Sequence, residues 1–505
     1  MTSPTLVDKY ADKIKGVLNC YDRVVITGTL PEICFAQGMT SFLYNNGIRI
    51  FDYPKVAKAW REQVRYNAEQ IAAEHELEIE FIRKNDFRKE KRIKNIIKKR
   101  GNHPGLVHIF SAMETCHAYK PWYDKIYRKA YLKNTSSKCL HYYFYFIDEQ
   151  LGLCYIRVPT WCPFKLQIYF NGHSLLAAQL TTQQIEYVLA ENAFVHIADF
   201  NRANQLGQKL GIEALHQQLD RFAQYFCPVV IQLQSAYHWS IMQAEYATDI
   251  IFKRQQDLQT IYSLLVETLI HSVKPENIAT FLGKKLHTNY QGEVGNNFNV
   301  RIMGSRIRHQ MGPVAIKMYD KYGLILRIEV TVNDVSFFKQ YRQVQHRDGS
   351  CEMKYAKMRK SIYSLNPLRE LLSAATMRYL QFISHIETPE IGVDKLTKLT
   401  QTKHHHDHRY KGFNLLSEQD VQLFRILVHG EFMINGFKNS HLRALLNKTT
   451  GQISRLLKRL HVHGLIKRIG KRYKYYLTKL GRQVIVMALK LREIYVIPHL
   501  AFGKN

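Results

Sequence analysis

Residues 438–477 have the sequence KNSHLRALLNKTTGQISRLLKRLHVHGLIKRIGKRYKYYL. Leucine and isoleucine recur at helical spacing as far as Leu460, and Gly464 then supplies a residue type that commonly ends a helix in the left-handed conformation. Two short β-type segments follow, Leu465–Ile469 and Tyr473–Leu477, with a glycine between them. The pattern predicts a helix, a turn, a second helix and a two-stranded hairpin.

This part of the chain is also strongly basic, since no acidic residue lies between Glu431 and Glu493. A helix-turn-helix followed by a hairpin wing is suited to lie on a phosphate backbone. We therefore predict a winged helix-turn-helix domain over residues 413–505. A helix over about 479–491 is apolar enough to dimerise or dock, so we expect a homodimer.

The second helix of this motif has an apolar face and a polar face. Ile453, Leu456, Leu457 and Leu460 predict the buried face. Gln and Arg are suited to base edges and Lys to phosphates. The nucleic-acid contacts predicted for this helix and the wing are Gln452, Arg455, Lys458, Arg459, Lys467, Arg468, Lys471, Arg472 and Lys474.

The composition of the whole chain favours a polyanionic partner. The chain has 72 Lys and Arg against 42 Asp and Glu, a net charge of +30, which opposes a compact state unless a polyanion balances it. We expect nucleic acid, DNA before RNA. Eight cysteines without a CxxC motif, no signal-peptide pattern and no long apolar stretch predict a cytoplasmic, nucleoid-associated protein without a membrane partner.

The predicted fold class is α+β, with a mixed multi-layer body of helices and antiparallel sheet before the winged helix. Because 505 residues exceed one ordinary core, we divide the chain further. Residues 1–200 are predicted to form an α+β domain with an aromatic β-meander. Residues 201–395 are predicted to be a helical segment plus a β-hairpin, a candidate catalytic body. The His-rich residues 396–412 are predicted to be a linker.

Two segments of the body are further candidates for nucleic-acid contact. The aromatic run Tyr142–Phe146 in the meander is suited either to base stacking or to the core of a sheet. The basic segment Arg83–Arg100 predicts a helix with one narrow apolar stripe. Its residues Arg88, Lys91 and Arg92 are predicted to contact phosphate, the alternative being a merely solvated face.

Carboxylates next to apolar segments are the candidates for chemistry. Residues 313–332 predict a β-hairpin that places Lys317, Tyr319 and Glu329 on one face by strand alternation. A helix is predicted over about residues 239–252, and on it Glu245 and Asp249 share a face because they stand four apart. Asp22 lies at the start of an apolar strand. The predicted catalytic residues are Asp22, Glu245, Asp249, Lys317, Tyr319 and Glu329.

Convergence of the four acids would create a metal site. Asp22, Glu245, Asp249 and Glu329 would then hold Mg²⁺ or Mn²⁺ for phosphodiester chemistry. Tyr319, beside Lys317, would be a candidate nucleophile attacking phosphate. The alternative is that these residues form cross-strand ion pairs and a surface pair with a purely structural role.

The C-terminal residues carry a resemblance. The segments SRLLKRL (454–460), HGLIK (463–467) and KYYLTKLG (474–481) resemble a winged helix of the MarR type. The chain as a whole resembles a large bacterial protein family of uncharacterised function, and this resemblance implies an association with mobile DNA. The segments that carry it are YDRVVITGTL (21–30), KCLHYYFY (138–145), PTWCPF (159–164), EYATD (245–249), IKMYDK (316–321) and LRIE (326–329).

The pattern YDK…RIE also resembles, locally, a segment of rolling-circle replication initiators. Our leading hypothesis is a mobile-element DNA-processing factor, transposase-like or replication-initiator-like, that nicks a strand with a metal ion. One alternative is a non-enzymatic winged-helix transcriptional regulator, favoured if Glu245, Asp249 and Glu329 lie apart. A second alternative is an RNA-binding protein, which needs the Tyr142–Phe146 rings exposed.

Overall fold

A computed structural model describes residues 5–84, 86–208, 210–233, 235–286, 292–301, 304–386, 397, 399–414, 416–429, 432, 436–469 and 473–502. The chain divides into two compact units, residues 1–387 and residues 388–505. We call them the body and the C-terminal unit. The architecture is mixed α/β, with one large sheet in the body.

The described part of the body contains one eleven-stranded sheet, in the order β10-β11-β12-β13-β9-β1-β6-β5-β4-β3-β2, and two small hairpins, β7-β8 and β14-β15. Within the sheet β2 and β3 are parallel, whereas the other neighbours are antiparallel. The strands are β1 Ile14–Thr29, β2 Ile79–Phe81, β3 Gly105–Asp124, β4 Lys129–Asp148, β5 Gly152–Pro159, β6 Leu166–Asn171, β7 Tyr187–Leu189, β8 Phe194–Ile197, β9 His238–Phe252, β10 Val294–Arg301, β11 Gly304–Met311, β12 Val314–Lys321, β13 Ile325–Val332, β14 Lys339–Gln345 and β15 Cys351–Lys357.

Helices and short 3₁₀ turns connect these strands. The helices of the body are α1 Leu6–Lys9, α2 Ala36–Asn45, α3 Tyr53–Glu74, α4 Lys89–Arg100, α5 Gly172–Thr182, α6 Phe200–Gly207, α7 Ile212–Phe226, α8 Val229–Gln232, α9 Gln255–Ser272, α10 Pro275–Phe281 and α11 Leu365–Ile386. The 3₁₀ turns are Ile50–Asp52, Val335–Phe337 and Ile362–Ser364.

The two faces of the sheet are covered differently. One face packs against α2, α3, α7, α9, α10 and α11 in the main hydrophobic core, to which the sheet contributes residues such as Val24, Ile26 and Phe144. On the opposite face, a smaller cluster around Leu180 and Phe194 joins α5, α6 and the β7-β8 hairpin to one end of the central strands. A third cluster lies under α4. Between them the sheet carries polar side chains, and this polar face holds the predicted catalytic residues.

Several local predictions for the body are confirmed. The aromatic meander consists of β4, β5 and β6, and the predicted hairpin over residues 313–332 consists of β12 and β13. The basic helix is α4, which begins at Lys89 rather than earlier. Strands from both sides of residue 200 neighbour one another in the sheet, as β1 and β9 do, so that position does not separate two sheets.

The helix predicted over residues 239–252 is wrong, because these residues form β9 between β1 and β13. Ala, Met, Gln and Glu favour a helix locally. In the tertiary structure, however, Ala244, Tyr246, Ile250 and Phe252 alternate into the main core with the period of two that a strand requires. Burial on a central strand has overridden local propensity.

In the described part of the C-terminal unit, three helices lie between two hairpins, and two further helices with a π-helical turn between them follow the second hairpin. The elements are β16 Lys403–His405, β17 His408–Tyr410, α12 Glu418–Leu427, α13 Asn439–Leu446, α14 Thr450–Val462, β18 Ile466–Ile469, β19 Lys474–Leu477, α15 Lys479–Lys490, a π-helical turn Leu491–Val496 and α16 Ile497–Phe502. The stretch predicted as a linker contains the β16-β17 hairpin, and Leu399 within it is buried in the core of this unit. Among the described residues no helix is both long and apolar enough to cross a membrane.

Candidate functional site

Strand register brings the predicted catalytic residues of three strands onto the polar face. In the β12-β13 pairing Lys317 lies opposite Glu329. In the β13-β9 pairing Thr331 lies opposite Glu245. Because directly paired residues point to the same side of a sheet, the three strands present these side chains together. Glu245 and Asp249 do share a face, as predicted, since a spacing of four is even and therefore also keeps one side of a strand.

Asp22 reaches the same face through an irregularity in β1. The register with β9 shifts between Tyr21 and Val24, so that β1 carries one extra residue there. Such a bulge re-aims a side chain, and bulges are common beside active sites. Asp22 is almost fully buried and accepts hydrogen bonds from Asn171 Nδ2 at 3.0 Å and from Asn192 Nδ2 at 2.9 Å.

Glu245, Glu329, Lys317, Tyr319 and Thr331 form a group that we call the open cluster. The Lys317 ammonium donates to Glu329 Oε1 at 2.6 Å and to Glu245 Oε1 at 3.2 Å. The Tyr319 hydroxyl donates to Glu329 Oε2 at 2.7 Å, and the Thr331 hydroxyl donates to Glu245 Oε1 at 3.0 Å. The side chains of Lys317 and Glu245 keep 14% and 15% of their surface exposed, so the cluster opens to solvent on that side.

Asp22, Asp249, His173 and Arg327 form a second group, the closed quartet. The Arg327 guanidinium donates to both oxygens of Asp249, at 2.6 Å each, and to Asp22 Oδ2 at 3.2 Å. His173 Nδ1 lies 3.2 Å from Asp22 Oδ1, and its Nε2 lies 3.4 Å from Asp249 Oδ2. All four side chains are almost fully buried, so their charges interact strongly.

The start of α5 places His173 in this quartet. Asn171 caps the helix by accepting from the backbone N–H of His173, at 2.8 Å, and of Ser174. A Cβ at Gly172 would collide with the carbonyl oxygen of Tyr21, so glycine is what lets the helix begin this close to β1. Asn171 at the end of β6 and Gly172 at the start of α5 therefore position His173.

The charges of the quartet stabilise one another. Burial alone would raise the pKa of Asp249, but the Arg327 charge and the hydrogen bond from His173 outweigh it and lower the pKa to about 2. The pKa of Asp22 is likewise held far below its usual range, by His173 and Arg327 against the effect of burial. Burial and the Arg327 guanidinium, which lies 3.1 Å from Nε2 of His173, would lower the pKa of His173. The neighbouring Cys20 and the hydrogen bonds to both carboxylates outweigh them and raise it well above its usual value.

Three groups, two in the open cluster and one beside the quartet, have pKa values shifted by other causes. Burial, and then the nearby charge of Glu329, raise the pKa of Glu245 despite its contact with Lys317. Burial and the Glu329 carboxylate also raise the pKa of Tyr319 far above its usual range. Burial and the Arg327 charge lower the pKa of Lys321 to about 8.

Three of the four predicted metal ligands come together. Asp22, Glu245 and Glu329 each offer a carboxylate oxygen, and these oxygens lie within 4.8 Å of one another. Oxygen ligands are what Mg²⁺ and Mn²⁺ prefer. Asp249 does not belong to this set of neighbouring oxygens. Both of its oxygens accept hydrogen bonds from Arg327, at 2.6 Å each. Its predicted role as a ligand is therefore corrected to that of an ion-pair partner.

The aromatic run of the meander offers no stacking surface. Every ring from Tyr142 to Phe146 is buried, with Phe144 and Phe146 packed on Phe226 of α7. The condition on which the RNA-binding alternative depended is therefore not met by these residues. Of the predicted basic contacts in this segment, Arg88 lies just before α4 and Lys91 and Arg92 lie on it. All three are exposed, and Arg92 also pairs with Glu80 at 3.2 Å.

In the C-terminal unit, most of the predicted contact residues of α14 are exposed. Gln452, Arg455 and Lys458 face solvent, and Gln452 also completes a capping box by accepting from the Thr449 backbone N–H at 2.9 Å. Arg459 is different, since its guanidinium binds both oxygens of Asp420, at 3.0 and 3.1 Å, and lies over the Phe413 ring. Arg459 therefore holds the unit together instead of presenting its charge outward.

The hairpin of the C-terminal unit carries the remaining predicted contacts. Lys467 and Arg468 are exposed on β18, and the Arg468 guanidinium stacks over the Tyr473 ring at 4.1 Å. Lys474 is half-buried on β19. Lys471 and Arg472 lie outside the described residues. A cleft of about 410 Å³ between α13, α14 and the start of β19 includes Lys438 and Lys458 in its wall.

Several residues of the site were not singled out from the sequence as functional. His173, Asn192 and the bulge at Asp22 came from no motif, and Arg327, which lies on the hairpin face, is not among the predicted catalytic residues. The sequence shows the strand alternation of the hairpin. It does not show the pairing of β13 with β9, which places Arg327 beside Asp249. Comparison with known proteins adds nothing further, as no protein-family model, curated protein or solved structure gives a significant match to this chain.

Proposed function

We propose that this protein cleaves DNA strands with the help of a divalent cation bound by Glu245 and Glu329 of the open cluster together with Asp22. The observation that carries the proposal is the convergence of one oxygen each from Asp22, Glu245 and Glu329 within 4.8 Å. The three residues come from three different strands, and Asp22 reaches the site through a bulge. That separation in sequence argues against a chance neighbourhood of surface acids.

The residues of the open cluster suit phosphodiester hydrolysis. When bound there, Mg²⁺ or Mn²⁺ would polarise a phosphate oxygen and lower the pKa of a bound water. Lys317, at the exposed edge and 2.6 Å from Glu329, would turn its ammonium towards a phosphate and offset its charge. Glu245 has a raised pKa and lies at the same edge, where it would accept a proton from the attacking water.

Tyr319 fits a positioning role better than a nucleophilic one. Its hydroxyl already donates to Glu329, and burial raises its pKa, so forming the phenolate there is unfavourable. We infer that water attacks the phosphate, that the bond from phosphorus to one deoxyribose oxygen breaks, and that this departing oxygen takes a proton from solvent. Tyr319 would fix the orientation of the Glu329 carboxylate. The Tyr319→Phe variant is then expected to retain most cleavage activity, and denaturing gels are expected to show no covalent protein–DNA adduct.

The C-terminal unit would deliver the body to duplex DNA. Its order of α12, α13, α14, the β18-β19 hairpin and α15 supports the interpretation as a winged helix-turn-helix. The helix α14 presents Gln452, Arg455 and Lys458 to solvent, as a recognition helix would. The family resemblance of the sequence implies a link to mobile DNA. We therefore propose that the protein is a mobile-element factor, transposase-like or replication-initiator-like.

A non-enzymatic regulator is the second candidate, and one observation favours it. Lys317 already pairs with Glu245 and Glu329, so the acids have a cation of their own. In that case the polar face would be structural, and the winged helix alone would act on DNA. The two candidates differ in whether DNA is cut, which makes cleavage the deciding property.

The test is incubation of the purified protein with a supercoiled plasmid that carries the DNA flanking its own coding sequence, in Mg²⁺, Mn²⁺ or EDTA. We expect conversion to open circles with either metal and none with EDTA. Glu329→Gln and Glu245→Gln should reduce the rate at least 100-fold, whereas Glu213→Gln on the exposed side of α7 should not. Tight binding to the plasmid without cleavage in any metal would replace the enzyme with the regulator.

A further inference from the structure

The β3-β4 hairpin extends well past the strand next to it. The pairing of β4 with β5 ends at His141, whereas the pairing of β4 with β3 continues to Lys129 opposite Asp124. The hairpin therefore projects from the sheet. Since β3 and β1 run in the same direction through the alternating strands, the tip protrudes at the end of the sheet where β1 ends at Thr29.

The base of this projection is braced by α2 and the residues before it. The Tyr119 hydroxyl donates to the Ile33 carbonyl at 2.7 Å, and the Thr40 hydroxyl accepts from the Leu132 N–H at 3.0 Å. Closer to the tip, the Tyr44 hydroxyl donates to the Ala130 carbonyl at 2.9 Å. The hairpin is thus held at a fixed angle to the body up to a few residues from its tip.

The tip itself exposes two large side chains in a defined turn. Asp124 Oδ1 accepts from the backbone N–H of Ile126 at 2.9 Å and of Tyr127 at 3.1 Å, which fixes the turn. Ile126 is 85% exposed and Tyr127 is 81% exposed. Solvent exposure of an isoleucine and a tyrosine side by side on a braced projection is unfavourable unless a partner covers them.

The charge around the tip indicates what that partner is. Between residues 120 and 133 the chain has one acid, Asp124, and five cations, Lys120, Lys125, Arg128, Lys129 and Lys133. The ammonium of Lys133 lies 3.8 Å from the centre of the Trp122 ring. An apolar point surrounded by cations is complementary to a DNA base step surrounded by phosphates.

We propose that Ile126 and Tyr127 form a wedge that enters a DNA duplex between base pairs and separates the strands. The flanking cations would bind the phosphates on either side of the opened step. Apolar side chains inserted in this way unstack bases and kink the duplex. The inference rests on the proposed function, for which it names the substrate form: the wedge would open duplex DNA and supply a single strand to the open cluster.

The experiment measures opening separately from cutting. A duplex with 2-aminopurine at the flanking-DNA site is mixed with the full chain in EDTA, which prevents cleavage. We expect a fluorescence increase on binding for the wild type and for Glu329→Gln. The double variant Ile126→Ser, Tyr127→Ser should lose at least four-fifths of the increase, yet bind a pre-opened bubble of the same sequence with unchanged affinity.

Tyr66→Ser is the matched control, because Tyr66 is an exposed tyrosine that belongs to α3 and not to the hairpin. This variant should behave as the wild type does. Equal fluorescence increases for the double variant and the wild type would overturn the wedge, as would binding of the wild type with no increase at all. Binding to anionic phospholipid vesicles is measured in parallel. If the double variant loses only this vesicle binding and opens DNA as the wild type does, the wedge is overturned and the tip is assigned to a lipid surface. Opening without cleavage in Mg²⁺ would leave the wedge standing and remove the proposed nuclease.

Discussion

The closed quartet and the open cluster lie side by side on one sheet face but balance their charges differently. In the quartet, two carboxylates meet two cations, and all four side chains are buried. In the open cluster, two carboxylates share the single ammonium of Lys317, which is partly exposed. Asp22 belongs to the quartet and also lies within reach of the open cluster. The closed quartet has equal numbers of positive and negative charges and needs no further counterion. The open cluster has a surplus negative charge and therefore retains affinity for a cation.

The largest expected effect comes from breaking the balanced group. Arg327→Met would leave Asp22 and Asp249 buried without their main partner, at a cost of about 3–5 kcal/mol in the free energy of unfolding. Lys317→Met should cost only about 1–2 kcal/mol, because Glu245 has a raised pKa and takes up a proton more readily. Urea titrations of the two variants followed by tryptophan fluorescence compare them directly.

Fluorescence is well suited to this comparison, because the four tryptophans, Trp60, Trp122, Trp161 and Trp239, all lie in the body. The signal therefore reports the unit that contains both groups. Equal losses of stability in Arg327→Met and Lys317→Met would contradict the distinction between a closed and an open group.

The same distinction extends to α14 in the C-terminal unit. Arg459 is committed to Asp420, so Arg459→Ala should destabilise this unit by about 2–3 kcal/mol. Arg455 is exposed, so Arg455→Ala should leave stability within about 0.5 kcal/mol and instead weaken DNA binding. Hydrogen exchange of the C-terminal amides measures stability, and DNA titrations measure binding. A loss of stability in Arg455→Ala, or a loss of DNA binding with unchanged stability in Arg459→Ala, would refute the distinction between the two arginines.

Acid should weaken the closed quartet in a defined window. The pKa of Asp249 is about 2 in the folded protein, below its ordinary value, so its contribution is present above about pH 4 and is lost as pH falls towards 2. That contribution is roughly 2 kcal/mol. The stability difference between wild type and Asp249→Asn should therefore narrow as pH falls from 5 to 3, and a constant difference would exclude the mechanism.

The smallest effect should be stabilisation by a divalent cation. At a free Mn²⁺ concentration ten times its dissociation constant, binding to the folded state alone adds about 1.4 kcal/mol. The increase should disappear in Glu245→Gln and persist in Glu213→Gln. The stabilisation should also weaken as pH falls, because Glu245 has a raised pKa and must lose its proton to bind the metal. If the melting temperature does not change when Mn²⁺ is added, the open cluster does not bind the metal.

Local patterns predicted what depends on a few neighbouring residues. The β12-β13 hairpin follows from alternation around one turn, and the elements of residues 438–477 follow from helical spacing and glycines. The shared face of Glu245 and Asp249 was predicted from the wrong element and was still right, because four is a whole number of strand repeats and nearly one helical turn.

The site beyond these patterns depends on contacts between distant segments. Arg327 faces Asp249 because β13 pairs with β9, and Asp22 faces both because β1 bulges there. The inward turn of Arg459 depends on Asp420, on a different helix. No spacing within a single segment encodes such pairings. The sequence therefore could not reveal which of the four predicted metal ligands binds Arg327 instead of a metal ion.

The position of β1 has a consequence for the making of the protein. This strand is the first of the sheet to leave the ribosome, but its partner β9 follows roughly 200 residues later, a delay on the order of 10–40 s at about 5–20 residues per second. During that time one edge of an apolar strand has no neighbour. We therefore expect a chaperone that covers exposed strand edges during synthesis to raise the yield of folded protein.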